Sequence, residues 1–211
     1  KHANPCGVSK ERDKLKSFKS AINCDPISVF GGIVSFNFKI NKKLAEQINK
    51  FYFEVIIANG FDKDALKILK KKKNIRLIDA INFKNNGNYA FIFYKEAFMY
   101  QSPDNIIINK KNLKVVSKKK PTKKQLDSLI FAMNTCKYVK SNAIVLAKDK
   151  STIGIGSGQP NRVDSCELAI VKARKFQPEK LLNCVAASDA FFSFTDGVEK
   201  LIQAGVNAII Q

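Results

Sequence analysis

Histidine is almost missing from this chain: of 211 residues only His2 carries an imidazole. The five cysteines (Cys6, Cys24, Cys136, Cys166, Cys184) stand far apart, and no Cys-x-x-Cys pair occurs. A Cys/His zinc site therefore has too few ligands at usable spacing, and no metal is expected. The odd cysteine count at wide spacing is also unlike a disulfide-stapled secreted scaffold and predicts a reducing, cytoplasmic setting. No apolar run approaches the ~20 residues of a membrane-spanning helix, because charges or amides interrupt each candidate, so a membrane is not an expected partner. Ten glycines, six prolines and a hydrophobic fraction of 45% exclude a disordered chain. The chain opens on Lys1-His2 without methionine or apolar leader and closes on Ile209-Ile210-Gln211 within what reads as a strand, so a piece of a longer protein is expected.

Acidic residues are scarce as well, 18 against 37 basic, leaving a net charge of +19 that predicts anionic partners. Only four of the 37 are arginine (Arg12, Arg76, Arg162, Arg174). Readers of base edges and phosphates favour the planar guanidinium, so roughly two-thirds of the excess reads as a solvated lysine background. A lysine-rich nucleic-acid-binding protein remains the competing class, and a specific nucleic-acid partner is not expected.

Helical and strand patterns alternate. Leu15, Phe18 and Ile22 recur at helical spacing from about Glu11, and Asp25-Pro26 stops that helix. Residues 27–30 and 33–36 read as strands flanking Gly31-Gly32, where the missing Cβ lets backbone approach a ligand. Asn41 is a cap for a helix with Leu44, Ile48 and Phe51, Asp62 for one with Leu66 and Leu69, and residues 54–58 and 75–78 are strands between and after them. Farther on, residues 85–88 form a turn cluster, residues 89–94 and 106–108 are strand candidates, and residues 117–120 form a basic linker. Thr122-x-x-Gln125 is a capping box for a helix facing inward with Leu126, Leu129, Ile130, Met133 and Cys136. A hairpin from 143 to 156, a helix capped by Asp164 through Ala173, a strand at 185–187 and a helix from Thr195 to Gly205 complete a layered α/β reading.

Four places can carry chemistry. At Lys1-His2, imidazole can take a proton near neutral pH while an ammonium stabilises a developing oxyanion; alone, the pair reads first as a surface lysine beside a structural histidine. Asn142 follows a helix and can hydrogen-bond an amide, or it can serve as a turn residue. The stretch Gly154 to Arg162 resembles a phosphate cradle without satisfying either glycine-loop rule and reads more readily as a strained hairpin, in which Arg162 can still serve as a bidentate anion ligand. Ser188 to Gly197 follows a buried strand, where Phe191 can stack on a heterocycle and Asp196 can bond ring nitrogens, or where the two equally read as a core phenylalanine and a helix-start acid.

Six strings, in order along the chain, resemble the transformylase part of the AICAR transformylase/IMP cyclohydrolase family: Lys1 to Gly7 (KHANPCG), Cys24 to Val34 (CDPISVFGGIV), Glu54 to Phe61 (EVIIANGF), Lys137 to Ala147 (KYVKSNAIVLA), Ile153 to Ser165 (IGIGSGQPNRVDS) and Ser188 to Val198 (SDAFFSFTDGV). Only the first half of residues 80–135 matches poorly. The resemblance implies transfer of a formyl group from 10-formyltetrahydrofolate to the 5-amino group of AICAR in purine biosynthesis. Lys1 matches the oxyanion stabiliser, His2 the proton acceptor and Asn142 the residue positioning substrate and His2. Gly31, Glu54, Arg162 and Phe191 match nucleotide contacts, and Val163 and Asp196 match folate contacts. It also implies two zinc-free cytidine deaminase-like α/β/α modules, here residues 1–119 and 120–211, in an intertwined homodimer with shared active sites. A cyclohydrolase domain preceding Lys1 and further chain after Gln211 are implied too. Ser193, Val29 and Asn59 depart from the proline, alanine and proline usual in the family.

Overall fold

Apolar side chains at helical spacing alternate with short β-branched runs through the first third of the chain, and the structure turns that alternation into a parallel sheet. The computed structural model describes residues 1–83 and 89–211. Helix α1 (Lys14–Ile22) leads into β1 (Gly32–Phe36), and α2 (Lys42–Ile48) and α3 (Lys63–Leu69) cross over to β2 (Phe53–Ala58) and β3 (Arg76–Asp79). The strand order is β1-β2-β3, with Val34 opposite Ile56 and Ile56 opposite Leu77. Helical crossovers are what parallel neighbours require. Phe18, Ile40, Leu44, Ile48, Phe53, Ile56 and Leu69 fill the core, and the Phe18 ring lies 5.8 to 6.4 Å from those of Phe36, Phe51 and Phe53.

A hairpin, β4 (Ala90–Tyr94) and β5 (Ala97–Gln101), is followed by helix α4 (Lys123–Cys136) and a second sheet. That sheet has the order β7-β6-β8-β9, from β6 (Ile144–Lys148), β7 (Ser151–Gly156), β8 (Cys184–Ser188) and β9 (Val206–Ile210). Strand β6 runs antiparallel to both β7 and β8, while β8 and β9 are parallel. Alternate residues face opposite ways. Ile144, Leu146, Ile153 and Ala186 pack under α5 (Arg162–Phe176), α6 (Pro178–Leu181) and α7 (Asp196–Gln203), while Val145, Ala147, Ile155, Val185 and Ala187 pack under α4 and Cys24. Helices thus cover both faces, which explains why these strands read as continuous apolar runs. Helix α5 rides directly on β7, since a Cβ at Gly156 would collide with the Ser165 carbonyl oxygen.

The N-terminal segment belongs to this second sheet's edge. The Thr152 N–H donates to the Val8 carbonyl at 2.9 Å, and the Lys10 N–H donates to the Lys150 carbonyl at 2.9 Å. Among the described residues, no helix is long and apolar enough to cross a membrane.

Several expectations need correction. Residues 27–30 are a turn, because the Asp25 carboxylate accepts both the Ser28 N–H (3.0 Å) and its hydroxyl (2.8 Å), and this local capture outweighs β propensity. Residues 106–108 form no strand: the Asn134 amide on α4 bonds the Ile108 N–H and carbonyl at 2.9 and 2.8 Å, and the partner of β4 is β5 instead. The turn expected at 85–88 lies outside the described residues. Helix α1 starts at Lys14, where the Asp13 carboxylate accepts the Lys16 N–H. Asp62 precedes α3 without a side-chain cap and pairs with Lys39 at 2.7 Å. The capping box of α4 forms, yet its buried face is Ser128, Leu129, Ala132, Thr135 and Cys136, leaving Leu126, Ile130 and Met133 half-buried. Burial of Ser128 and Thr135 is possible because each hydroxyl donates to the carbonyl one turn back, at 3.1 and 2.9 Å. Asn161, not Asp164, caps α5, and the helix continues to Phe176. Thr195 makes no side-chain cap to α7.

Candidate active site

Helix α5 begins at Arg162 because the Asn161 side chain accepts the Asp164 N–H at 2.8 Å, and this start sets the guanidinium beside the end of β8. One Arg162 nitrogen donates to the Ser188 hydroxyl at 2.9 Å and to the Asp189 carboxylate; the other donates to Asn142 Oδ1 at 2.9 Å. The guanidinium carbon lies 5.9 Å from the centre of the Phe192 ring. Three of the roughly five guanidinium donors are engaged, which orients the plane and leaves capacity for an anion.

Asp189 anchors this network. Its carboxylate accepts the Ser141 hydroxyl, the Arg162 donor and the Ala143 N–H at 3.1 Å. Burial by itself would raise this carboxyl, but the Ser141 and Arg162 hydrogen bonds and the Ala143 N–H together hold it below the usual carboxylate range. Asn142 is held on all sides: Nδ2 donates to the Gln159 and Pro160 carbonyls at 3.0 and 3.2 Å, and its own carbonyl accepts the Ser165 hydroxyl at 2.8 Å. With both amide hydrogens committed, the free capacity of the side chain is the second lone pair on Oδ1, so Asn142 can offer an acceptor and not a donor.

Lys1 and His2 stand on a tight loop. The Lys1 ammonium donates to the Phe30 carbonyl at 2.5 Å, and the Asn4 N–H donates to the Lys1 carbonyl at 3.0 Å. His2 is exposed, and His2 and Ala3 adopt left-handed backbone at φ 51° and 57°. Such conformations cost energy unless their surroundings hold them. One contact that holds the loop is Asn4 Oδ1, which accepts the Lys140 N–H at 2.8 Å, two residues before Asn142. The loop bearing Lys1 and His2 is therefore tied to the strand entry that carries Asn142, although neither side chain hydrogen-bonds Asn142.

The other expected residues fall into two groups. Gly31 (φ 66°) follows Phe30, and its N–H donates to the Tyr52 carbonyl at 2.9 Å. A side chain there would be strained whatever the space. A Cβ at that position would also stand 3.7 Å from Glu54 Oε1. Glu54 lines an open cleft of 400 Å³ with Tyr52, Lys73, Asn74 and Arg76. Lys1, Gly31 and Glu54 thus gather at the start of the first sheet. Val163 and Asp196 occupy the first turns of α5 and α7, helices pinned together by the Glu167–Lys200 ion pair and by Phe192 and Cys166 packed at Gly197. Asp196 and Phe191 are both exposed, and the aromatic ring under Arg162 is Phe192, not Phe191.

Sequence reasoning overlooked Asn4, Ser141, Asp189 and Phe192 as contributors. The signal available for Asp189 was its position just past the end of the buried β8 strand, with only Ser188 between it and the apolar Val185-Ala186-Ala187 run, where a carboxylate needs a partner. Cys24, Cys136, Cys166 and Cys184 offer no nucleophile, since burial pushes each thiol up to about 12. Among the described residues, no three His, Cys, Asp or Glu side chains gather as a metal site.

Residues 1–172 match the family model described as AICARFT/IMPCHase bienzyme. The chain belongs to that family. Along its whole length it is 45% identical to the bifunctional purine biosynthesis protein PurH of Acetivibrio thermocellus, 43% to that of Caldicellulosiruptor saccharolyticus and 44% to that of Buchnera aphidicola. It spans 40 to 41% of the length of these relatives. Within the family, the mixed α/β architecture described above is the setting of the Arg162 network, and neither the family match nor the relatives' names point to nucleic-acid binding.

Proposed function

We propose that this chain supplies the formyl-transfer site of a bifunctional purine-biosynthesis protein, an AICAR formyltransferase that takes its one-carbon unit from 10-formyltetrahydrofolate. The observation that carries the reading is the Asn4–Lys140 hydrogen bond at 2.8 Å, by which the Lys1-His2 loop is fastened beside Asn142 and the Arg162 network in a chain of this family.

The chemistry needs three things from the protein. The amine of AICAR is a poor nucleophile because its lone pair is delocalised into the imidazole ring, so a base must take a proton as it attacks; His2 fills this role. The carbonyl oxygen of the formyl group gains negative charge as the new C–N bond forms, and the Lys1 ammonium stabilises it. When the oxyanion collapses, the bond from the formyl carbon to N10 of the folate breaks and the proton held by His2 passes to that nitrogen. Asn142, restricted to accepting, takes an N–H of the attacking amine or of His2 and fixes their approach. Arg162 binds the nucleotide with Gly31, Glu54 and Phe191, and Val163 and Asp196 face the folate. No step uses a metal.

The finer organisation is part of the same proposal. Two cytidine deaminase-like modules, residues 1–119 and 120–211, belong to an intertwined cytoplasmic homodimer with shared active sites, and the cyclohydrolase activity resides in another part of the full-length protein. The excess of positive charge, +19, favours a phosphorylated nucleotide and a polyglutamylated folate. In the full-length protein, His2→Ala and Lys1→Ala are each expected to lower formyl transfer by about 10²-fold or more. Undiminished turnover in both variants defeats the assignment of roles.

A further inference from the structure

The turn between α1 and β1 holds an ion pair that the mechanism above does not use. Asp25, whose side chain is 5% exposed, meets the Lys172 ammonium of α5 at 2.8 Å. The same carboxylate accepts the Ser28 N–H and hydroxyl at 3.0 and 2.8 Å. Two residues later the turn presents the Phe30 carbonyl to the Lys1 ammonium at 2.5 Å, and Gly31 then docks on the Tyr52 carbonyl. Ser28 is clamped from its other end too, for its carbonyl accepts the Cys6 thiol at 3.7 Å. A continuous series of contacts therefore runs from α5, the helix that begins with Arg162, to the side chain of Lys1.

We propose that Asp25 and Lys172 are positioning residues for Lys1, setting through Ser28 and the Phe30 carbonyl where its ammonium stands relative to the transferred formyl group. The proposal rests on the reading of Lys1 as the oxyanion stabiliser. Its physical basis is that an exposed-loop lysine has four rotatable side-chain bonds, and its charge is useful to a transition state only when held in place beforehand. A buried carboxylate that is matched by one ammonium and two local donors does not drift, because leaving any partner strands the charge. The turn it organises is correspondingly stiff, and so is the carbonyl that receives Lys1.

The test is a set of cycles in the full-length protein, reading kcat and both KM values separately. Ser28→Ala and Lys172→Met are each expected to lower kcat about tenfold with both KM values within about twofold of wild type, and Lys172→Arg, which keeps the ion pair, is expected to restore turnover. Placed on Lys1→Ala, which itself turns over slowly, neither substitution is expected to lower single-turnover formyl transfer further. Losses that multiply equally in both backgrounds reveal a merely structural pair and overturn the proposal, as does an unchanged kcat. Ser28→Ala removes only an uncharged hydroxyl and decides the matter alone should Lys172→Met fail to fold. Failure of the underlying reading shows itself differently, as full turnover by Lys1→Ala alone, and the positioning role falls with it.

Discussion

Asn4 and Lys140 meet across 136 residues of chain, the Asn4 side-chain oxygen accepting the Lys140 N–H at 2.8 Å. One side of this bond carries Lys1 and His2; the other leads within two residues to Asn142. The loop's left-handed residues, His2 and Ala3, gain little from their own backbone preferences; the Asn4 N–H closes the turn on the Lys1 carbonyl at 3.0 Å, and the bond to Lys140 ties that turn to the second sheet.

Asn4→Ala tests that dependence. The protein is expected to lose about 1 kcal/mol of unfolding free energy, the usual net worth of one such hydrogen bond, while formyl transfer falls by about tenfold. Urea unfolding and steady-state kinetics on the full-length protein check the two numbers. A variant that loses stability and activity in the same proportion argues against a specific role for the loop.

Arg162→Lys tests the proposed role of Arg162 in holding the nucleotide. A lysine keeps the charge but cannot reach Asn142, Ser188 and Asp189 together with a planar fork, so nucleotide KM is expected to rise by about tenfold or more with a smaller change in folate KM. Asp189→Asn is expected to raise the same constant, since Arg162 then loses its charged partner. Equal changes in the two KM values go against this assignment.

Acid sensitivity follows from Asp25 and Asp189. Burial by itself raises both carboxyls, yet Lys172 and Ser28 for the first, and Ser141, Arg162 and the Ala143 N–H for the second, hold both below the ordinary value. A carboxyl lowered in the folded state stabilises the protein above its unfolded pKa, about 3.9, and that stabilisation disappears as pH falls through the lower folded value. Unfolding free energy is therefore expected to stay level for these groups from about pH 8 to 5 and to decline below about pH 4. Asp189→Asn is expected to be less stable at pH 7 and to decline less steeply in acid, as measured by urea midpoints across a pH series.

Gly156→Ala tests the seat of α5 on β7. The added methyl collides with the Ser165 carbonyl, so the helix must shift, at a cost of about 1–3 kcal/mol. Because Arg162 opens the same helix, nucleotide KM is expected to rise as well. Gly158→Ala, in open space though with φ 69°, is expected to be milder and serves as the comparison.

How much could be read beforehand differs sharply between elements. The start of α4 was legible because a capping box involves only Thr122 and Gln125, neighbours in sequence, and both reciprocal bonds form, at 2.8 and 3.2 Å. Its buried face was not legible, because hydropathy does not reveal that Ser128 and Thr135 satisfy their hydroxyls within the helix. Residues 27–30 look like a strand by side-chain type, and one carboxylate at Asp25 makes them a turn. Phe191 and Phe192 are alike in sequence, and only the packing of α7 against α5 sets Phe192 under Arg162 and leaves its neighbour exposed.

The amino-acid order by itself determined the alternation of helices and strands, the hairpin at residues 144–156 and the identity of the residues that could bind, accept a proton or hold charge, since propensity, capping and side-chain chemistry act over a few residues. Tertiary structure alone decided which of them meet. Asn4 with Lys140, Arg162 with Asp189 and Asp25 with Lys172 are 136, 27 and 147 residues apart, and no local preference encodes such pairs. They come together because two sheets, each requiring its apolar faces to be covered, leave few ways to place the N-terminal segment and α5, and the polar groups then take the partners that this packing brings within reach.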